Sequence, residues 1–188
     1  MNLSTNQQKF KAFLLTHTDL TETEINELIA KSTELHLAKG ECFAEEGRHC
    51  KQIGFVVSGV LYAIATNAAG TAYVSSFYEP DQLVTAYKSY HEDITSCCSV
   101  ITLQASTVLV IDRDVLKNLL PPAYEKELLL AFLHTRYLFA DEHATELATL
   151  SVAERYNHFL KHHGTVANTA PKTFIASHLG ASRGMLSR

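Results

Sequence analysis

The residues best suited to grip a ligand lie at the end of the chain, from Lys172 to Arg188, KTFIASHLGASRGMLSR. Arg183 and Arg188 carry planar guanidinium forks, the groups that pair with guanine edges and phosphates. Ser182 stands just before Arg183 and reads as a helix N-cap. Its hydroxyl can accept a backbone N–H there, and the free amides beside it suit a phosphate. Ser187 follows in the same segment, and Lys172 opens the preceding one. Ala176 is small where two helices must approach. Gly180 comes four residues later, where a turn needs positive φ. Ile175, Leu179 and Leu186 are the apolar anchors. Lys172, Ser182, Arg183, Ser187 and Arg188 are therefore the candidate DNA contacts of a helix–turn–helix. The same pattern also fits a plain αα-hairpin.

Charge is distributed to match. The chain of 188 residues has a net charge of −4, which alone argues against a polyanionic partner. Residues 151–188, however, hold five Lys or Arg and one acid, Glu154, whereas the first 150 residues carry the excess of acids. An acidic body with a basic tail brings only the tail to DNA. The composition, 46% hydrophobic and 19% charged, supports a packed core and excludes disorder. No apolar run reaches the ~18 residues of a membrane span, and no secretory signal opens the sequence, so a cytoplasmic protein is expected. Cys42, Cys50, Cys97 and Cys98 form no CxxC pair and offer no zinc or iron–sulfur framework.

The tail must be positioned by what precedes it. Residues 5–31 read as two helices, with Phe10, Phe13 and Leu14 on one face and a Thr21/Glu24 capping box starting the second. From Thr33 to Ile111 about eight short β-rich runs alternate with turn signals, which implies an antiparallel roll. The stretch Val84–Ile94 interrupts them as a short helix with a loop. Asp112 caps a short helix that Pro121 and Pro122 end. A long helix is expected from Ala123 to Leu150. Along it Leu130, Leu133, Tyr137, Ala140, Ala144 and Leu147 follow the alternating three-and-four spacing of a heptad seam. Leu128, Phe132 and Phe139 make a second stripe. One stripe can cover the roll while the other meets a second copy, and packing of both within one chain is the alternative. Ser151 and Glu154 box the next helix, Gly164 is expected to end it, and TVANTA reads as a loop.

Roll, long helix and helix–turn–helix in this order resemble the Crp–Fnr superfamily of transcription regulators. The resemblance spans nearly the whole chain and is most specific in IASHLGASRGMLSR and in KGECFAEEGRHCKQIGFVVSGVLY. It implies an α+β protein: an antiparallel double-stranded, jelly-roll-like β-roll with flanking helices, a long dimerisation helix and a C-terminal helix–turn–helix. It also implies three parts. Residues 1–122 form a cyclic-nucleotide-binding-like effector domain, residues 123–150 the dimerisation helix, and residues 151–188 the helix–turn–helix DNA-binding domain, an incomplete winged helix truncated at its C-terminus. The implied partners are double-stranded DNA carrying an inverted repeat and a second copy of the chain, with RNA polymerase as a further candidate.

The resemblance has departures. Relatives that bind cAMP place a glycine–glutamate pair on the ribose and an arginine with a small neighbour on the phosphate. Val84 and Thr85 stand at the first pair and Ser96 and Cys97 at the second. No arginine occurs from Phe77 to Leu103, where Lys88 is the only base. A buried phosphate without a cation costs several kcal/mol, so an effector other than cAMP is expected beside Leu83, Val84, Thr85, Ser96, Cys97 and Cys98. The oxygen-sensing branch has an N-terminal cysteine cluster, and no cysteine precedes Cys42 here. Gly184 replaces the acid that many relatives carry after the arginine, which predicts a different base preference. A cupin-like metalloenzyme is the weaker alternative, because His36, His49 and His91 are scattered and His162–His163 lies outside the roll. An interaction module that does not bind DNA is the other. No catalytic or metal-binding residue is expected.

Overall fold

The computed structural model describes residues 3–66, 70–118 and 120–187. The first helices are α1 (Thr5–His17) and α2 (Glu22–Ala30). Each is opened by a complete capping box, Ser4 with Gln7 and Thr21 with Glu24, so two orphan amides are satisfied at each start. Eight strands follow: β1 (Thr33–Leu37), β2 (Cys42–Ala44), β3 (Gln52–Ser58), β4 (Leu61–Thr66), β5 (Ala72–Tyr78), β6 (Leu83–Val84), β7 (Ser99–Thr102) and β8 (Ser106–Asp112). They form two four-stranded antiparallel sheets, in the orders β1-β8-β3-β6 and β2-β7-β4-β5. Because the chain crosses repeatedly between sheets, the expected jelly-roll-like roll results. The turn after β3 needs its glycine: Gly59 has φ +90°, and a Cβ there would sit 2.1 Å from Ser106 Oγ.

The helix between β6 and β7 is α3 (Tyr87–Glu92). After β8 come α4 (Arg113–Asn118) and the long α5 (Pro122–Thr149), which starts on proline as helices often do. One face of α5 buries Tyr124, Leu128, Ala131 and Phe132. These join the main core with Phe10 and Phe13 of α1, whose rings meet Phe55 at 4.9 and 5.3 Å between centroids.

The C-terminal part holds α6 (Val152–His162), α7 (Gly164–Thr169), α8 (Lys172–His178) and a 3₁₀ helix (Arg183–Ser187). Three local expectations change here. TVANTA is helical rather than a loop, because Val166 is fully buried in the second core. Gly164 therefore opens a helix, and α6 ends one residue earlier, at a cap on His163. The last segment is 3₁₀ rather than α-helical, with the Met185 amide bonded to the Ser182 carbonyl. The second core joins these helices to the roll: Tyr62, Val74 and Phe77 from β4 and β5 pack with Phe159, Val166, Ile175, Ala176 and Leu179. Val74 N–H also donates to Ser177 Oγ at 3.1 Å. The tail is thus seated on one face of the roll.

Candidate functional site

The six residues expected around the effector are placed unequally. Leu83, Val84, Thr85 and Ser96 are buried, Cys98 is half-buried and Cys97 is exposed. Val84 pairs with Gly54 across the sheet. The Thr85 hydroxyl donates to the Gln52 carbonyl at 2.9 Å, with Cys50 Sγ 3.6 Å away. The Ser96 hydroxyl donates to the Cys98 carbonyl at 2.7 Å. Both hydroxyls are therefore bonded internally. Burial pushes the Cys98 thiol pKa up, away from a reactive thiolate. Lys88 is exposed.

A guanidinium does approach the roll, from a helix far along the chain. Arg136 of α5 bonds Ser76 Oγ and lies 5.1 Å over the Tyr78 ring. Tyr78 is buried, which pushes its phenol pKa up despite that cation. The sequence gives no signal for Arg136, which reaches the roll from α5 and not from the segment between the strands.

On α5 the heptad seam lies opposite the buried stripe. Leu130, Leu133, Tyr137 and Leu147 are between 38% and 68% exposed, a large apolar area for a lone chain. Ala140 and Ala144 are exposed beside them. The far end of the seam also serves the tail, since a Cβ on Gly180 would lie 3.2 Å from Leu147 Cδ2.

In the tail, Gly180 has φ +64°, as its turn position requires. Ser182 and Lys172 are exposed, Ser182 just before the 3₁₀ helix and Lys172 in the first turn of α8. The side chains of Arg183 and Ser187, and all of Arg188, lie outside the described residues. Arg155, which net charge would assign to a phosphate contact, is buried. Its Nε donates to the Leu179 carbonyl at 3.2 Å and its Nη1 to the Leu150 carbonyl at 2.6 Å. It ties α6 to the end of α5 and to the turn, and is unavailable to DNA.

A cleft of about 480 Å³ opens where β5, α5, α6 and α8 meet. His143, His158, His162, His163 and His178 line it, together with Glu79, Glu142, Glu146 and Arg136. His163 bonds Glu79 at 2.7 Å and His158 bonds Glu146 at 2.5 Å. His143 and His178 stack at 4.4 Å. Burial, and then the neighbouring His143, push His178 down to about 4, so this ring is neutral at pH 7. Burial lowers His143 as well. One oxygen or nitrogen each from Glu142, Glu146 and His158 falls within 4.8 Å of the others, a donor set able to hold a metal. One signal could have found this set: Glu142 and Glu146 are one helical turn apart, and so are His158 and His162 on the next helix.

No protein-family model matches this sequence, and no curated protein matches it either. Solved structures do match. The c-di-GMP-responsive global regulator CLP, which links cell–cell signalling to virulence gene expression in Xanthomonas campestris, is similar at TM-score 0.66 and 19% identity over 89% of each chain. FixK2 from Bradyrhizobium japonicum is similar at TM-score 0.64 and 16% identity, over 84% of this chain and 81% of that one. The chain shares the fold of these solved proteins. The catabolite activator protein of Thermus thermophilus matches at TM-score 0.54 and 19% identity over 90% of this chain and 82% of its own. At these identities the likeness covers the architecture alone, an antiparallel roll of two sheets followed by helices. No helix among the described residues is long and apolar enough to cross a membrane.

Proposed function

We propose that the chain is a cytoplasmic, sequence-specific DNA-binding transcription regulator that acts as a homodimer and answers to an effector other than cAMP. It is not an enzyme. What supports this reading is α8, the left-handed turn at Gly180 and the 3₁₀ segment after it, in a tail whose sequence carries Ser182, Arg183, Ser187 and Arg188, on a fold shared with solved regulators. The seam of Leu130, Leu133, Tyr137, Ala140, Ala144 and Leu147 supports the dimer. A heptad face is complementary to its own copy about a two-fold axis, and the opposite face already covers the roll. Two such tails can enter successive major grooves about 34 Å apart, which calls for an inverted-repeat operator. Lys172 is assigned to a phosphate, Arg183 to a base edge, and Ser182 with the amides beside it to a phosphate. Residues 1–122, 123–150 and 151–188 divide these duties as sensor, dimer helix and DNA reader.

The roll supports an effector other than cAMP because Thr85 and Ser96 spend their hydroxyls on the protein's own carbonyls. A second reading, an interaction module without DNA binding, is favoured by the short 3₁₀ segment and by the packing of the tail on β4 and β5. Gel shifts with fragments of the host genome separate the two. Retardation of a subset of fragments, resisting competitor DNA, supports the regulator. Uniform failure at micromolar protein, with or without host small-molecule extract, supports the module.

A further inference from the structure

We propose that Glu142, Glu146 and His158, joined by His162, bind a divalent transition-metal cation at the corner between α5 and α6. Glu142 and Glu146 share one face of α5 at a spacing of one turn, and His158 faces them from α6. Their donor atoms lie within 4.8 Å of one another. A cation about 2.0–2.2 Å from each ligand spans pairs up to about 4.4 Å apart, so small side-chain rotations close the site. His162 comes one turn later on α6, its ring centroid 4.1 Å from that of His158; it lies outside the three-residue donor group, and a rotation of its side chain is needed to add it as a fourth ligand.

Two further observations separate this cluster from an ordinary solvated face. The side chains of Glu146 and His158 are only 15% and 35% exposed. They also open into the 480 Å³ cleft, where Nε2 of His143 and Nδ1 of His178 are buried without a hydrogen-bond partner. The cleft is thus rich in imidazole and leaves room for water to complete the coordination shell.

The donors select the ion. Two carboxylates and two imidazoles suit the series from Mn2+ to Zn2+, whereas Mg2+ and Ca2+ prefer oxygen alone. Two carboxylate charges neutralise the cation. His158 lies 2.5 Å from Glu146. Imidazole and carboxylate bind a cation only in their unprotonated forms, so affinity falls as pH falls. Because the ligands come from two helices, a bound cation fixes the angle at which α6 and the tail leave α5. The site stands by itself. Only its consequence for operator affinity rests on the regulator reading above.

The test uses the full chain stripped with a chelator and titrated with Zn2+ alone by calorimetry and with Co2+ alone by visible absorption. One equivalent with micromolar or tighter affinity is expected, with a Co2+ spectrum of nitrogen and oxygen ligation and no thiolate charge transfer. Glu142 is exposed, so Glu142→Gln keeps the fold, which circular dichroism verifies. It should weaken binding at least about tenfold, and His158→Gln should do the same. No saturable binding, equal affinity in Glu142→Gln, or thiolate bands that assign the metal to the cysteines overturns the proposal. A gel shift with and without Zn2+ is read separately. DNA binding that fails in both conditions while Zn2+ still binds counts against the regulator reading and leaves the metal site intact.

Discussion

Acid should loosen the joint between roll and tail through His178. In the unfolded chain this imidazole takes a proton near its ordinary pKa of about 6.5. In the folded protein burial holds it neutral down to about 4. Between these values the unfolded state binds more protons, so stability rises with pH, is fully present above about 6.5, and is lost as pH falls toward 4. The gap corresponds to about 3 kcal/mol at its limit, and to about 2 kcal/mol between pH 7 and pH 4.5. The surroundings favour that sign. His143 and Arg136 of α5 and His163 beside α6 disfavour a further cation, while a hydrogen bond to the Val74 backbone opposes them only in part. Urea unfolding at stepped pH would compare the wild type with His178→Gln, which cannot titrate. The wild type should lose about 2 kcal/mol more than the variant over that interval. His143 keeps some slope in the variant, since burial lowers its pKa too. Parallel pH profiles for the two proteins would mean that the buried His178 ring carries no proton linkage.

Other outcomes follow from the same geometry. Arg155→Met should cost about 2–4 kcal/mol by leaving two carbonyls without a donor, and limited proteolysis should then cut residues beyond Leu150 first. Leu133→Asp places a charge in the seam and should convert the dimer to a monomer by light scattering; an unchanged mass would move the interface elsewhere. Titration calorimetry with cAMP should give no micromolar heat, and a micromolar constant would contradict the roles given to Thr85 and Ser96.

Local chemistry made much of this fold legible. The capping boxes at Thr21/Glu24 and Ser151/Glu154 are complete within one helical turn, so both helix starts can be read without a partner element. The strand runs alternate with glycine turns for equally local reasons, and α5 has one stripe for the roll and one left uncovered. What could not be read depends on distant residues. Val166 makes TVANTA helical only because it reaches a core shared with β4 and β5. Arg155 counts as surface charge until the Leu179 carbonyl, from beyond α7, comes to meet it. The imidazole-lined cleft needs β5, α5, α6 and α8 together, and no window of sequence contains all four. Arg136 enters the roll from α5, so a search confined to the strands misses it.

Binding-site selection from random duplexes is the sharpest test of the proposed two-fold dimer that reads DNA with its tail. The wild type should enrich an inverted repeat whose half-site centres lie about one helical turn apart. Arg183→Ala should recover the same spacing with one base pair per half-site relaxed, by roughly 1–3 kcal/mol of discrimination. An unenriched pool from the wild type, or an equally stringent palindrome from both proteins, would be the opposite outcome. The first result would remove DNA as the partner, and the second would remove Arg183 as the reader.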